Sequence, residues 1–463
     1  MIALSSVKKV CFIGIGGIGM SAVARYFLHR GAQVFGYDRS ASALTTQLEQ
    51  EGATIYYQDN PALLPPDADL VIYTPAIPPA HRGLTYYREQ NLPVIKRSEA
   101  LQLITNQSFT IAIAGSHGKT TVTSMIAHIL HQSGVGCTAF VGGVMTNYNS
   151  NFIAGNNHIV VVEADEFDRS FHRLQPDIAV ITAVDSDHLE VYGTQAGVEE
   201  AFLTFANSVK PKGALVVKAS VPIMQQLKNH NRLITYHLFY SIADVYTYNL
   251  QKTNTGFTFN IAAESARLGE FALNIEGQYN VENSIAAITV ASLLQLTPEQ
   301  IAKALATFSG IKRRFEFIAR TPDFVMIDDY AHHPAEISAL LQSVHALYPN
   351  KKMTVIFQPH LYSRTRDLAH DFAMSFRYAS EVILLDIYPA REEPIEGVTS
   401  DLIFSKIPNK NKYLYSFNNL VAQLANHSFE VLVTVGAGNI DTLIPDIKAA
   451  ALNTLNSNPN NRT

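Results

Sequence analysis

Short apolar runs recur along the chain, and three of them end in a cluster of glycine or polar residues. The runs Val7–Ile15, Phe109–Ala114 and Phe324–Ile327 are rich in β-branched and aromatic residues, which is typical of buried strands. Segments with helical spacing, such as Ser21–Arg30 and Thr121–Gln132, follow the first two runs. This alternation of strand and helix predicts mostly parallel sheets covered on both faces, and therefore an α/β fold.

The chain is long enough for several domains. Its 463 residues correspond to about three domains at roughly 150 residues each. Polar stretches at residues 105–108 and around residues 310–320 are candidate linkers. We therefore expect domains over residues 1–107, 108–318 and 319–463.

Composition narrows the class of protein. Hydrophobic residues make up 47% of the chain and charged residues 16%, as in packed globular proteins. The formal net charge of −5 argues against a nucleic-acid partner, because such proteins usually carry a basic surface. No apolar run approaches the ~18 residues of a membrane helix. The two cysteines, Cys11 and Cys137, form no disulfide framework, so we expect a cytoplasmic protein without membrane contact.

The first glycine-rich loop has the spacing G-x-G-x-x-G, formed by Gly14, Gly16 and Gly19 between a predicted strand and a predicted helix. Gly17 lies within the same loop. Such a loop lets the backbone approach a diphosphate, whose charge the helix N-terminus favours. Asp38 ends the next strand, where an acid can bind a ribose hydroxyl. Taken alone, this pattern suits an NAD enzyme or any protein that binds a diphosphate nucleotide.

The second glycine-rich loop follows Phe109–Ala114 and reads Gly115-Ser116-His117-Gly118-Lys119-Thr120-Thr121. Its backbone amides would surround phosphates, Lys119 would reach the terminal phosphates of ATP, and Thr120 would bind Mg²⁺. The spacing gives no role for Thr121. Two phosphate loops in one chain indicate ATP together with a second substrate that carries a nucleotide.

Acidic residues follow two further predicted strands. Glu163 ends the first, within the run EADEFD, and a carboxylate opposite a phosphate loop is the usual second anchor for Mg²⁺. The acidic residues after it, Asp165, Glu166 and Asp168, suit an exposed loop. His188 follows the next strand and could bind the metal ion or act as a base.

Together these segments resemble the Mur ligase family over residues 10–441. The motifs that carry the resemblance are GIGGIGMSA, GSHGKTT, EADEFD, DSDHLE, GQYNVENSIAA, RRFE, DDYAHHP, FQPHLYSRTRD, DIYPAREEP and GAGNI. The glycine-rich start, DDYAHHP and FQPH are similar to the branch that attaches L-alanine to UDP-N-acetylmuramate. The resemblance implies a Rossmann-like domain for the UDP substrate, a central P-loop ATPase domain and a Rossmann-like C-terminal domain for the amino acid.

The resemblance also implies roles for individual residues. Lys119 and Thr120 would belong to the ATP site, and Glu163 and His188 would bind Mg²⁺ with Thr120. Further implied contacts are Asn283 to the adenine, Arg314 to phosphate, Asp329 and Tyr330 to the nucleotide, and His332 and Arg364 to the amino acid and the muramyl carboxylate.

Several positions depart from the family motifs. They are Tyr279 for histidine, Leu361 for arginine, Arg391 for glycine, Asn439 for aspartate and Ser116 for threonine. Tyr279 puts one adenine contact in question. Because Leu361 cannot bind an anion, the substrate contact would have to come from elsewhere, and Arg366 and Arg391 are candidates.

The implied reaction activates a carboxylate by phosphorylation with ATP, after which the amine of L-alanine displaces phosphate. His188 and His332 are both candidates for the base that deprotonates the amine. The alternatives are a murein tripeptide ligase, a folylpolyglutamate synthetase, an NAD-dependent oxidoreductase and a non-catalytic nucleotide-binding regulator. The first glycine loop argues against a folylpolyglutamate synthetase. Lys119 and Glu163 argue against an NAD-dependent oxidoreductase, which would leave them without a role. The sequence leaves the oligomeric state open.

Overall fold

The strands predicted from apolar runs form three sheets within the residues described by the computed structural model, which are 4–167, 169–185, 189–239, 242–263, 266–390 and 392–457. The chain divides into two compact units, Met1–Gly310 and Ile311–Thr463. The first unit holds the first two sheets and the second unit holds the third. None of the described helices is both long and apolar enough to cross a membrane.

The N-terminal sheet is parallel throughout. Its strands are β1 (Lys9–Ile13), β2 (Gln33–Tyr37), β3 (Thr54–Tyr56), β4 (Leu70–Tyr73) and β5 (Val94–Lys96), and its helices are α1 (Ile18–His29), α2 (Ala43–Gln50), α3 (Arg82–Glu89) and α4 (Arg97–Thr105). The strand order is β3-β2-β1-β4-β5. The first glycine loop follows β1, where the direction of the connections reverses. Open α/β sheets bind ligands at that point.

The central sheet is parallel in its middle and antiparallel at both edges. Its strands are β6 (Phe109–Ala114), β7 (Thr138–Met145), β8 (Ser150–Ile153), β9 (Ile159–Glu163), β10 (Ile178–Ile181), β11 (Ala214–Lys218), β12 (Leu233–His237), β13 (Val245–Lys252), β14 (Phe257–Ala263) and β15 (Ala266–Leu273). Its helices are α5 (Lys119–Gln132), α6 (Leu189–Tyr192), α7 (Gln195–Asn207), α8 (Met224–Leu227), α9 (Gln278–Leu293) and α10 (Pro298–Leu305). The order is β15-β14-β13-β12-β11-β10-β6-β9-β7-β8, so the strand before the second glycine loop lies between β9 and β10.

A buried polar network joins α1 to β8. Asn151 is fully buried and donates to the carbonyl oxygen of Ile18 at 2.5 Å and to the hydroxyl of Ser21 at 3.0 Å. Its own side-chain oxygen accepts from Arg25, whose guanidinium also pairs with Glu51 at 2.8 Å. Because buried polar groups are costly when unpaired, this network fixes the N-terminal glycine-loop helix against the central sheet.

The sheet of the second unit repeats the α/β pattern. Its strands are β16 (Glu316–Arg320), β17 (Val325–Asp329), β18 (Met353–Phe357), β19 (Glu381–Leu384), β20 (Lys412–Leu414) and β21 (Val431–Val435), and its helices are α11 (Pro334–Leu347), α12 (Tyr362–Ser375), α13 (Asp401–Phe404), α14 (Leu420–Gln423) and α15 (Ile444–Ser457). The order is β16-β17-β21-β18-β19-β20, and β16 runs antiparallel to β17.

The expected second linker is partly a strand. Residues 316–320 form β16, which pairs with β17 instead of remaining an open connection. The expected linker region around residues 310–320 therefore ends in an edge strand, which the polar composition of the segment does not indicate. The domain bounds 1–107, 108–318 and 319–463 stay a prediction, and the chain contacts place a division after Gly310.

A buried histidine fixes the helix that follows the second glycine loop. His128 of α5 is fully buried, and its ring nitrogens lie 2.7 Å from the Tyr148 hydroxyl and 2.9 Å from the Thr307 hydroxyl. Burial lowers the pKa of His128 to about 4, so the ring is neutral at pH 7. The unfolded chain binds a proton at this residue below about pH 6.5, whereas the folded chain does not. Stability must therefore fall as the pH falls from about 6.5 to 4.

We predict that His128→Gln reduces this loss of stability in acid. The wild-type protein should lose about 3 kcal/mol through this one residue between pH 7 and pH 4, and glutamine cannot take up the proton. The measurement is the thermal midpoint of both proteins across that range. His158→Gln, at an exposed position before β9, is the control and should keep the wild-type slope. Parallel curves for wild type and His128→Gln would contradict the prediction.

Candidate active site

The second glycine loop is tightly fitted between β6 and β10. Gly115 has a φ of +146°, and a Cβ there would lie 2.1 Å from the Thr182 hydroxyl oxygen. That hydroxyl donates to the carbonyl oxygen of Ala114 at 3.2 Å and also to that of His117. Glycine is therefore required at this position both for its backbone angle and for space. The loop is held open by these contacts before α5 begins at Lys119.

The ammonium of Lys119 is held at the mouth of this loop. Its Nζ donates to the carbonyl oxygen of Gly115 at 2.6 Å and to Glu166 Oε1 at 2.7 Å. Burial disfavours the charged lysine, but the carboxylates of Glu166, Glu163 and Asp165 outweigh it and raise the pKa of Lys119. Lys119 is therefore a fixed positive charge beside the loop amides, as phosphate binding requires.

Glu166 is a site residue that the sequence analysis missed. We expected it in an exposed acidic loop, but it is only 2% exposed and forms the ion pair with Lys119. Within the described residues, its Oε2 is buried and has no hydrogen-bond partner. The sequence signal was its place three residues after Glu163. Burial of that loop depends on tertiary packing, which composition does not reveal.

Thr120 and Glu163 meet as the sequence predicted. The Thr120 hydroxyl donates to Glu163 Oε1 at 3.0 Å, and the Gly142 amide donates to Glu163 Oε2 at 2.9 Å. Burial raises the pKa of Glu163, although Lys119 opposes that shift. A carboxylate and a hydroxyl are ligands that Mg²⁺ accepts, and a cation would offset the cost of burying the carboxylate charge. This pair therefore fits a magnesium site.

The third predicted metal ligand, His188, lies outside the described residues, as does Asp168. Among the described residues no group of three or more His, Cys, Asp and Glu side chains is arranged to hold a metal ion. The predicted site of Thr120, Glu163 and His188 does not depend on such a group, since a hydroxyl supplies one ligand and substrate phosphates commonly supply others.

Other predicted residues lie within the second glycine loop or against it. Ser116 accepts a hydrogen bond from the backbone amide of Asp185 at 2.8 Å, and the His117 ring lies 3.6 Å from the Asp185 carboxylate. Asn283 of α9 lies against Gly118, because a Cβ added there would be 2.8 Å from Asn283 Oδ1. The adenine contact of Asn283 stays a prediction, and among the described residues no side-chain contact gives Thr121 a role.

The first glycine loop is anchored by Asp38. Asp38 Oδ2 accepts the amide hydrogen of Gly16 at 2.7 Å, and Oδ1 accepts that of Arg39 at 2.7 Å. The carboxylate therefore contacts the backbone of the loop itself, and its predicted contact with a ribose is not tested by this geometry. Gly14, Gly17 and Gly19 complete the turn into α1.

In the second unit, the predicted residues lie at the carboxyl ends of β17 and β18. Asp329 accepts the amide hydrogens of Phe315 at 2.7 Å and Ala331 at 2.8 Å, so it positions the segments on either side of it. The exposed guanidinium of Arg314 lies 5.4 Å from the centre of the Tyr330 ring. Among the described residues its guanidinium has no ion-pair partner, so Arg314 can bind an anion.

His332 is suited to accept a proton. Its Nδ1 donates to the carbonyl oxygen of Tyr330 at 3.0 Å, which leaves Nε2 with a lone pair. Burial lowers the pKa of His332, and Arg364 and Arg314 add to that shift against the opposing Glu336. Arg364 Nη1 lies 3.5 Å from the His332 carbonyl oxygen, so these two predicted residues are neighbours.

Arg313 has a structural role that the sequence did not reveal. Beside the exposed Arg314, it pairs with Asp328 and Asp441, each at 3.3 Å, and donates to the carbonyl oxygen of Gly438 at 3.2 Å. Two adjacent arginines cannot be assigned to inward and outward positions from their order alone. The fold decides which one faces solvent.

The departures from the family motifs have different surroundings. Leu361 is buried, with a φ of +73°, and donates its amide to the Tyr388 carbonyl oxygen at 3.0 Å. Arg366 pairs with Asp367 at 2.7 Å on the surface, while Arg391 lies outside the described residues. Asn439 accepts a hydrogen bond from Gln358 at 2.8 Å. Tyr279 is 45% exposed at the start of α9.

The strand, glycine loop and helix, with a half-buried lysine, the half-buried Glu163 and the buried Glu166 beside them, define a P-loop nucleotide-binding protein of the α/β class. Residues 9–109 match the family model described as Mur ligase family, catalytic domain, residues 113–291 match the Mur ligase middle domain, and residues 313–438 match the Mur ligase, glutamate ligase domain. The chain therefore belongs to the Mur ligase family, and the predicted family and three-domain α/β architecture are confirmed.

Named relatives are similar over nearly their whole length. The UDP-N-acetylmuramate–L-alanine ligase of Parabacteroides distasonis is 46% identical, with 96% of this chain and 97% of the relative covered. That of Flavobacterium psychrophilum is 44% identical, with coverages of 96% and 98%. The crystal structure of the Thermotoga maritima UDP-N-acetylmuramate–alanine ligase has a TM-score of 0.81 at 28% identity, covering 96% of this chain and 99% of that one.

We predict that the Lys119–Glu166 ion pair is strongly coupled. Lys119→Met should lower the free energy of unfolding by about 3 kcal/mol at pH 7.5, because it leaves a buried carboxylate without a counter-ion. Adding Glu166→Gln should recover most of that loss. Burial raises the pKa of Glu166, so the penalty of Lys119→Met should shrink as the pH falls and Glu166 takes up a proton.

The measurement is urea unfolding of the nucleotide-free single and double variants. The control is Lys9→Met, which removes an ion pair to the exposed Asp67 and should change stability little. Additive effects of the two substitutions in the double variant would show that the pair is not coupled.

Proposed function

We propose that this chain is an ATP-dependent ligase that joins L-alanine to the carboxyl group of UDP-N-acetylmuramate, producing ADP and phosphate in the synthesis of peptidoglycan precursors. The main support is the P-loop, where Lys119 and the Thr120–Glu163 pair lie together. The chain is also 46% identical, over 96% of its length, to a UDP-N-acetylmuramate–L-alanine ligase. That relative and the Flavobacterium psychrophilum protein are both named for the two substrates, UDP-N-acetylmuramate and L-alanine.

The reaction must first convert a poor acceptor into a good one. A carboxylate resists attack by an amine. Its oxygen attacks the γ-phosphorus of ATP, which breaks the bond to ADP and gives an acyl phosphate. The neutral amine of L-alanine then attacks the acyl carbon, and the tetrahedral intermediate expels phosphate. The amide product retains the nitrogen of the amino acid, and the proton lost from that nitrogen passes to a base.

Charge compensation is the main work of the protein in the first step, because the carboxylate and the γ-phosphoryl group are both anionic. Lys119 and the loop amides would supply positive charge at the ATP site, and Arg314 would contact phosphate. Mg²⁺ bound by Thr120, Glu163 and His188 would supply the remaining charge when present. The ADP bound to the Thermotoga maritima MurF ligase belongs to a chain only 15% identical and is evidence for the shared fold alone.

The remaining roles follow the same proposal. Deprotonation of the amine is assigned to either His332 or His188, and the neutral ring of His332 supports the first. The proposed ATP contacts are Gly115, Ser116, His117, Gly118, Lys119, Thr120, Thr121, Asn283, Arg314, Asp329 and Tyr330. The proposed substrate contacts are Gly14, Gly16, Gly17, Gly19, Asp38, His332 and Arg364.

We predict that Lys119→Ala lowers the turnover number by ~10²-fold or more, because it removes a charge that stabilises the transferring phosphoryl group. Phosphate release measures the rate, and circular dichroism verifies that the variant is folded. Lys212→Ala, an exposed lysine before β11, is the matched control and should retain wild-type turnover. Near-normal turnover in folded Lys119→Ala would refute the assignment of the ATP site.

The substrates are tested separately. Phosphate release should require UDP-N-acetylmuramate, ATP and Mg²⁺, and it should be faster with L-alanine than with glycine or L-serine. Offering the murein tripeptide in place of L-alanine discriminates the alternative ligase. A solved murein peptide ligase from Psychrobacter arcticus has the same fold at 22% identity, with a TM-score of 0.72. Preference for the tripeptide would replace the proposed function by that alternative.

A further inference from the structure

An arginine that the family motifs do not include lies against the first glycine loop. Arg97 begins α4 directly after β5, at the carboxyl edge of the N-terminal sheet. A Cβ added to Gly19 would lie 2.9 Å from Arg97 Nη1, 3.1 Å from its Cδ and 3.2 Å from its Cζ. The guanidinium therefore covers the first turn of α1, next to the loop proposed to bind the substrate nucleotide.

Among the residues that the structure describes, Arg97 has no hydrogen-bond or ion-pair partner. Its side chain is half-buried against the helix, so part of its mobility is already lost. Two other arginines near this sheet are engaged: Arg25 pairs with Glu51, and Arg88 lies over the Tyr73 ring. A partly ordered guanidinium without a counter-ion is suited to bind an anionic ligand, because little further ordering is required.

The loop beside Arg97 lacks positive charge of its own. The amide of Gly16, which would otherwise be available to a phosphate, donates to Asp38 at 2.7 Å. The carboxylate of Asp38 also brings negative charge to the same edge of the sheet. A diphosphate therefore needs a cation here besides the partial charge of the α1 N-terminus.

We propose that Arg97 binds the diphosphate of the uridine nucleotide substrate, and that Gly19 has no side chain because Arg97 occupies that space. This assignment rests on the proposed function. The planar guanidinium can donate two parallel hydrogen bonds to phosphate oxygens, which fixes the position of the nucleotide as well as adding affinity. Gly19 thus serves the geometry of Arg97 in addition to the turn.

The test uses the full chain and UDP as the probe, measured by calorimetry. Arg97→Met should weaken UDP binding at least tenfold and raise the KM for UDP-N-acetylmuramate by a similar factor, with the KM for ATP within twofold of wild type. Arg97→Lys should recover part of the affinity, because it restores charge without the bidentate geometry. Lys96→Met, at the adjacent exposed position, is the matched control and should bind UDP within twofold of wild type.

Gly19→Ala gives an independent test. Alanine favours the helix, so the variant should fold at least as well as wild type. It should nevertheless lose UDP affinity, since its methyl group displaces Arg97. The double variant Gly19→Ala/Arg97→Met should bind UDP no more weakly than Arg97→Met alone, because both changes remove the same contact.

The outcomes separate this inference from the proposed function. If the wild-type protein binds UDP and turns over but Arg97→Met binds UDP equally well, the assignment of Arg97 is overturned and the function stands. If the wild-type protein binds ATP but no UDP, the proposed function is overturned. Uridine, which lacks the diphosphate, distinguishes a specific contact from a general disruption of the site. If Arg97→Met also lost uridine binding, the proposed contact between Arg97 and the diphosphate would be refuted.

Discussion

The buried ion pair between Lys119 and Glu166 is the interaction on which the central site depends. The charge of Lys119, at the start of α5, is stable there only because carboxylates on neighbouring segments compensate for its loss of hydration. Burial also disfavours the charged form of these carboxylates, and it raises the pKa of Glu163. The positive charge of Lys119 and the negative charges of Glu163 and Glu166 therefore stabilise one another. An anionic ligand that binds here is favoured when a cation binds with it.

That balance explains why one loop suits a nucleotide bound with a metal ion. A triphosphate alone would add negative charge near Glu163 and Glu166, whose carboxylates are already disfavoured by burial. A divalent cation between Glu163, the Thr120 hydroxyl and the phosphates would offset that charge. The fit of the site to Mg²⁺ thus follows from the electrostatics of the protein groups as well as from their identity as oxygen ligands.

The two glycine loops share a local geometry and differ in their charged neighbours. The second loop has a lysine within it and carboxylates opposite it, as ATP and Mg²⁺ require. The first loop has an aspartate bound to its own backbone and an arginine covering its helix. Glycine spacing predicts that phosphate can approach in both cases. The neighbouring side chains decide which phosphate compound is accommodated and whether a metal ion accompanies it.

Apolar periodicity, glycine spacing and the positions of strand ends are local properties of the chain, and they were enough to predict the α/β fold, the two loops and the convergence of Thr120 and Glu163. They could not predict that Glu166 is buried, that Arg313 faces inward while Arg314 is exposed, or that Arg97 covers Gly19. Each of these depends on segments distant in the chain, and burial and charge pairing are set by what packs against a residue. The local sequence of an acidic run or of two adjacent arginines does not reveal which segments pack against them.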